Sequence, residues 1–281
     1  MAAEFVGLVL LTVAVGQVPE NPEATDAARE ERLQFIKQKA AQFELFRESA
    51  PQQPVSLKEN PLLRYSIPER DNGTWDGATF LWTDGARPIA AIAVGIRRPN
   101  DAVFRELTSL CTEGLVCRKL GNVVWSAKSG GLMNQPLANS PPPAATESGR
   151  LTQMRSLARR FSATCVRRGD ATELRLMPQP LYRFNEEKQG IIDGALFGLV
   201  VSNDAEILLL LEAVQAPAAG QAGWRFSLAR MSSLDLSVRL GDTEIWSAPR
   251  FYSIPAADRK TGPYVEAAEG SFTSQIVQPA K

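Results

Sequence analysis

At 281 residues, the chain is long enough to bury one large core or two of ordinary size, and its 31 lysines and arginines equal its 31 aspartates and glutamates. That balance leaves no global attraction for nucleic acid or an anionic membrane. Histidine is absent, which excludes Ser-His-Asp and Cys-His enzymes and removes the commonest metal ligand and pH switch.

From the N-terminus, Phe5 to Val15 is an apolar run too short to span a bilayer, and Ala14-Val15-Gly16 places a small-x-small cleavage pattern before Gln17. Residues 1–16 therefore read as a signal peptide, and the chain as an exported protein. Asn21-Pro22-Glu23 offers a helix cap, after which Leu33, Ile36, Ala40 and Phe43 recur at helical spacing and predict an amphipathic helix ending before Pro51. Leu62 to Ile67 is strand-like. Trp75 to Val94 then reads as a β-hairpin with Asp84-Gly85 at a type I′ turn.

Phe104 to Leu110 and Gly114 to Leu120 predict two more strands, and Gly121-Asn122 turns into Val123-Val124-Trp125. Residues 129–147, with Gly130-Gly131 and Pro141-Pro142-Pro143, read as a linker. Beyond it, Leu151, Met154, Ala158 and Phe161 repeat the spacing of the first helix. Pro61-Leu62-Leu63-Arg64-Tyr65 is answered by Pro180-Leu181-Tyr182-Arg183-Phe184, Asp76-Gly77-Ala78 by Asp193-Gly194-Ala195, and Leu120-Gly121-Asn122 by Leu240-Gly241-Asp242. Matches in the same order at near-constant offset predict an internal duplication.

The fold class expected from this pattern is α+β. Each repeat, at residues 21–128 and 148–250, is one helix followed by about five antiparallel strands, a curved sheet wrapping a helix in the general manner of cystatin-like, NTF2-like or hot-dog architectures. Ile89 to Val94 and Ile207 to Leu211 are apolar on both faces, so these strands need cover from both sides. Residues 251–281 read as a polar C-terminal tail.

Leu63-Arg64-Tyr65-Ser66, Phe80-Leu81-Trp82-Thr83, Gln153-Met154-Arg155, Leu157-Ala158-Arg159-Arg160-Phe161 and Asp193-Gly194-Ala195-Leu196-Phe197 together resemble an uncharacterised family of bacterial exported proteins. The resemblance covers most of the chain after the first helix. It implies export and a shared fold, and transfers no site.

For chemistry, the strongest local charge is six arginines between Ser148 and Gly169 without an acid: Arg150, Arg155, Arg159, Arg160, Arg167 and Arg168. Such a patch suits an anionic small molecule, an acidic glycan or an acidic protein surface, because guanidinium groups grip planar oxyanions in a bidentate way; the bland reading is a solvated helix face. Aromatic interleaving expected of a nucleic-acid groove is missing. Arg64 and Arg183, each between aromatic and aliphatic neighbours, either stack structurally or line a ligand groove. Trp75 and Trp82 lack tryptophan counterparts in the second repeat, so they join the ligand-binding candidates.

Asp76 and Asp193 hold equivalent places and form either turn caps or, brought together, a carboxylate dyad. Cys111, Cys117 and Cys165 match no metal-ligand spacing and read as buried or incidental thiols, with one bridge open to an exported protein. No nucleophile elbow, phosphate loop or dinucleotide fingerprint occurs, so neither a catalytic residue nor a cofactor nor a metal is expected. The first reading is an exported, non-catalytic protein that binds a ligand or partner. A carboxylate-dependent enzyme using Asp76 and Asp193, or a structural envelope component, is the alternative.

Overall fold

The computed structural model describes residues 26–70, 73–215 and 222–275; the expected signal peptide lies outside the described residues. The first half contains helix α1 (Asp26–Ala40) and strands β1 (Phe43–Arg47), β2 (Ala50–Leu57), β3 (Leu63–Arg70), β4 (Gly73–Asp84), β5 (Arg87–Arg97), β6 (Ala102–Ser109), β7 (Leu115–Lys119) and β8 (Asn122–Ala127). A short strand β9 (Gln135–Pro136) leads into α2 (Glu147–Ala158), then β10 (Phe161–Arg167), β11 (Asp170–Leu176), β12 (Tyr182–Glu186), β13 (Ile191–Val201) and β14 (Asp204–Val214). The remainder is β15 (Gly223–Arg230), β16 (Asp235–Leu240), β17 (Thr243–Ala248), α3 (Ala256–Thr261) and β18 (Tyr264–Ser271).

The expected α+β unit of one helix and about five strands is wrong. Strands hold 55% of the described residues and helices 16%, in two curled antiparallel sheets of nine strands each, with only three helices. Part of the error lies at the helix ends, because Phe43 and Phe161 were counted on the helical stripes yet open β1 and β10. Phe43-Glu44-Leu45 is buried, exposed, buried, a period of two that a 3.6-residue count had absorbed. Pro51 and Pro54 concealed β2, a mostly exposed strand that meets β4 only through Ser56 and Leu57. Prolines are tolerated on such a ribbon because few of its N–H groups are needed by a neighbour.

The first sheet runs β8-β7-β1-β2-β4-β5-β6-β18, with β3 also on β4; the second runs β17-β16-β10-β11-β13-β14-β15-β9, with β12 also on β13. Matched from β1 and β10, the two orders coincide. The last place beside β6 and β15 is filled from outside either unit: β18 comes from the segment read as a polar tail, and β9 from the segment read as a linker. Both segments also anchor through tryptophans, for Trp125 Nε1 donates to the Gly262 carbonyl and Trp224 Nε1 to the Pro141 carbonyl, each at 2.9 Å.

Strands β5 and β14 are buried along all but their last residue. On one face Trp82 and Ile92 pack with Ile36 of α1, and Leu209 and Leu211 pack with Met154 and Ala158 of α2. On the other face Leu81 and Ala91 of the first sheet meet Leu196, Leu208 and Leu210 of the second. Each sheet is thus covered by its own helix and by the other sheet, and the seam between the sheets is apolar along its middle.

Turn chemistry sets the strand ends. Leu120 and Gly121 both have positive φ between the paired Lys119 and Asn122, and Arg168 and Gly169 do the same between Arg167 and Asp170, the type I′ pattern. At the β4–β5 turn only Gly85 has positive φ, so the type I′ turn expected at Asp84-Gly85 is not formed.

Candidate functional site

Register alone explains why one end of the seam is filled and the other hollow. Across the second sheet, Phe184, Gly194, Glu212 and Arg225 lie side by side on β12, β13, β14 and β15. Across the first, the same row on β3, β4, β5 and β6 is Tyr65, Gly77, Gly95 and Phe104. The aromatic ring lies flat on the glycine in both rows: a Cβ on Gly194 would fall 2.4 Å from the Phe184 ring, and one on Gly77 2.4 Å from that of Tyr65. The rows then diverge.

In the second sheet, Glu212 accepts from Arg225 Nε at 2.6 Å and from Arg87 Nε, of the first sheet, at 3.2 Å. Glu212 and Arg87 are buried, and the charges offset one another. The residue matching Arg87 at the start of β14 is Asp204, and it meets Gly95 and Phe104 in place of a glutamate and an arginine. No chain-borne cation closes this end, and a cavity of about 620 Å³ opens there.

The cavity has three kinds of wall. Tyr65, Trp75, Phe104 and Tyr252 supply aromatic surface. Asp204 and Glu206 of β14, Glu106 of β6 and Glu266 of β18 supply carboxylates from both sheets. Arg97, Arg167, Arg168 and Arg250 also line it, Arg97 with its guanidinium 5.2 Å from the Phe104 ring centre and 6.0 Å from that of Trp75.

Burial pushes the Glu106 carboxyl well above the ordinary carboxylate range, and the like charges of Glu266, Asp204 and Glu206 add to the shift. A 2.6 Å hydrogen bond donated by the Tyr264 hydroxyl opposes it. Burial also raises Tyr264 itself, with Glu106 and Glu266 adding to it. The adjacent Arg230 does not neutralise the group: its guanidinium donates to the carbonyls of Ser232, Pro249 and Leu234 at 2.8 to 2.9 Å.

The residues singled out from sequence fall in several places. Asp76 and Asp193 do not meet as a dyad; each is buried between two arginines of its own half. Arg32 Nε of α1 donates to Asp76 Oδ2 at 2.6 Å, with Arg64 3.8 Å away. Arg150 Nε of α2 donates to Asp193 Oδ2 at 2.9 Å, and Arg183 embraces the same carboxylate with bonds of 2.9 and 2.6 Å. Arg64, Arg150 and Arg183 therefore tie helix to sheet, and the hydrogen bond to Asp193 raises the Arg183 pKa.

The arginine run is dispersed. Arg155 donates to Gln179, Arg160 donates to the Ala138 carbonyl and the Ser140 hydroxyl, and Arg159 is exposed at the end of α2. Arg167 and Arg168 reach the cavity from the β10–β11 turn. Trp82 is core, wholly buried, whereas Trp75 lines the cavity. Cys111, Cys117 and Cys165 are buried free thiols, and burial holds Cys117 up at about 12. Among the described residues, no group of three or more Cys, Asp or Glu is placed to hold a metal ion.

Sequence reading missed Glu106, Asp204, Glu206 and Glu266. One signal was present: Glu206 heads the unbroken run Ile207 to Leu211, where an acid on a fully covered strand must face a special environment. No family model matches the chain, and no curated protein and no solved structure matches it. Among the described residues, no helix is long and apolar enough to cross a membrane.

Proposed function

We propose that the chain is an exported, non-catalytic binding protein whose ligand enters the cavity at the hollow end of the seam. The observation that carries this reading is the contrast between the two ends: equivalent rows of the sheets hold a neutralised Arg87–Glu212–Arg225 cluster at one end and an aromatic, carboxylate-lined space at the other. Its volume lies in the range of small-molecule sites, roughly 300–1,000 Å³. Export rests on the leader-like N-terminus.

The coincident strand orders and the repeated Arg–Asp–Arg clusters support reading the halves as copies of one ancestral unit. On that reading, one copy of the row kept or gained charges that seal the seam, while the other lost them. An enzyme built on Asp76 and Asp193 is disfavoured, because each carboxylate is occupied by two guanidinium groups. An anionic partner on α2 is disfavoured as well, since Arg150, Arg155 and Arg160 are engaged within the chain.

The test is to give the hollow end the side chains of the closed one. Tyr65→Phe, Gly95→Glu, Phe104→Arg and Asp204→Arg together install the set found at Phe184, Glu212, Arg225 and Arg87. A Cβ on Gly95 would lie 3.1 Å from the Tyr65 hydroxyl, and Tyr65→Phe removes that oxygen. Fragments that raise the melting temperature of the unmodified protein are expected to lose their effect on this variant, which should still melt cooperatively. A rise that persists in the variant places the ligand elsewhere.

A further inference from the structure

We infer that the cavity takes an organic cation, an ammonium or guanidinium group carried on a flat apolar body. This deepens the proposed function and rests on the cavity being a binding site. The first argument is the closed end, where the chain itself shows what this part of the seam accommodates: the Arg87 guanidinium crosses from one sheet to sit on Glu212 of the other at 3.2 Å. At the hollow end the crossing residue is Asp204, so the acid is retained and the cation must come from outside.

The second argument is the charge arrangement. Glu106 and Glu266 stand directly opposite each other on β6 and β18, where like charges destabilise a sheet. Asp204 and Glu206 approach from the other sheet. Arg230 directs its N–H groups to backbone carbonyls, and Arg167 stays 3.9 Å from Glu206. A cation entering among these carboxylates would relieve a repulsion that the fold otherwise sustains.

The third argument is the wall. Phe104 and Trp75 already carry a guanidinium, that of Arg97, against their rings, and Tyr65 and Tyr252 line the same space. Aromatic faces attract cations and pack flat apolar bodies. The space is far larger than a bare ammonium needs, so the charge must belong to a molecule with an apolar part.

The experiment uses three probes of matched shape and different charge: benzamidinium, benzyl alcohol and benzoate. Binding is measured by titration calorimetry at neutral pH and low salt. Benzamidinium is expected to bind saturably, at least about tenfold more tightly than benzyl alcohol, with benzoate excluded. Asp204→Asn and Glu266→Gln, each checked for a cooperative melt, should weaken benzamidinium by about tenfold and leave benzyl alcohol unchanged. The four-residue closed variant should bind none of the probes.

Equal or tighter binding of benzyl alcohol or benzoate, lost in the closed variant, overturns the cation while the cavity stands as a site. Benzamidinium binding that survives closure, or no binding of any probe, overturns both. Binding unaffected by Asp204→Asn and by Glu266→Gln overturns the assignment of these carboxylates and with it the inference.

Discussion

Glu106 of β6 and Glu266 of β18 face one another across neighbouring strands, two carboxylates in a register position where a sheet normally places unlike or uncharged partners. Asp204 and Glu206 lie beyond them on β14, Tyr264 bonds Glu106, the Tyr252 hydroxyl bonds Glu266, and Arg230 and Arg167 are the cations nearest the group. A raised Glu106 pKa means that the folded chain binds a proton over a pH interval in which the unfolded chain has released it. Stability from this group is therefore full below the unfolded pKa and lost as pH rises through the folded one.

Glu106→Gln removes that titration and keeps an acceptor for Tyr264. The variant is expected to match the unmodified protein near about pH 4 and to melt higher at about pH 8, since the ordinary carboxylate value lies near the first. Melting temperatures across this range check it. Parallel curves for the two proteins would show that Glu106 does not titrate within the folded state.

Asp193 accepts hydrogen bonds from two arginines, whereas Asp76 has one close bond and a second arginine 3.8 Å away. Asp193→Ala strands Arg150 in a buried position and is expected to cost about 3–5 kcal/mol. Asp76→Ala should cost less. Urea unfolding measures both, and equal losses would mean that the second guanidinium contributes nothing.

Within the arginine run, the sites should separate by their contacts. Arg159→Glu, at an exposed position, should change stability by no more than about 0.5 kcal/mol. Arg160→Glu removes bonds to residues 138 to 140 and should loosen the segment ahead of α2, read as faster hydrogen exchange there. Arg150→Ala should destabilise much as Asp193→Ala does. A double-mutant cycle between Arg150 and Asp193 is expected to show strong coupling, and additive losses would contradict the buried pair.

Gly194 and Gly77 are required by close packing, not by backbone angle. Gly194→Ala drives a methyl into the Phe184 ring and Gly77→Ala one into Tyr65, each costing about 1–3 kcal/mol. Gly169→Ala offers a contrast, because open space surrounds it and its φ of +95° is the obstacle. Combining Gly194→Ala with Phe184→Leu should recover part of the loss, as read in melting temperature.

What was legible in the sequence is what local periodicity can carry. The apolar runs at Ile89 to Val94 and Ile207 to Leu211 announced strands covered on both faces, because no other arrangement hides an unbroken row of such side chains. The echoes of Asp76-Gly77, Arg64-Tyr65 and the helical stripes marked positions that turn out to hold matching Arg–Asp–Arg clusters. Asp76 and Asp193 were legible as important but not as salt-bridged, since Arg32 and Arg150 reach them from helices 44 and 43 residues away in the chain.

Strand number escaped for a physical reason: short strands such as β1 and β10 follow their helices directly, and one phenylalanine satisfies both periods. The destinations of the linker and tail escaped because pairing between β18 and β6 is a contact across more than 150 residues, settled by which sheet edge stands open. The candidate site escaped most completely. Glu106, Asp204, Glu206 and Glu266 are scattered acids in sequence, and only the packing of one sheet on the other, with Gly95 where Glu212 stands in the second row, turns them into the walls of one cavity. Residue types determined which strands had to be buried; the register of those strands across the seam decided where charge is balanced and where a space is left for another molecule.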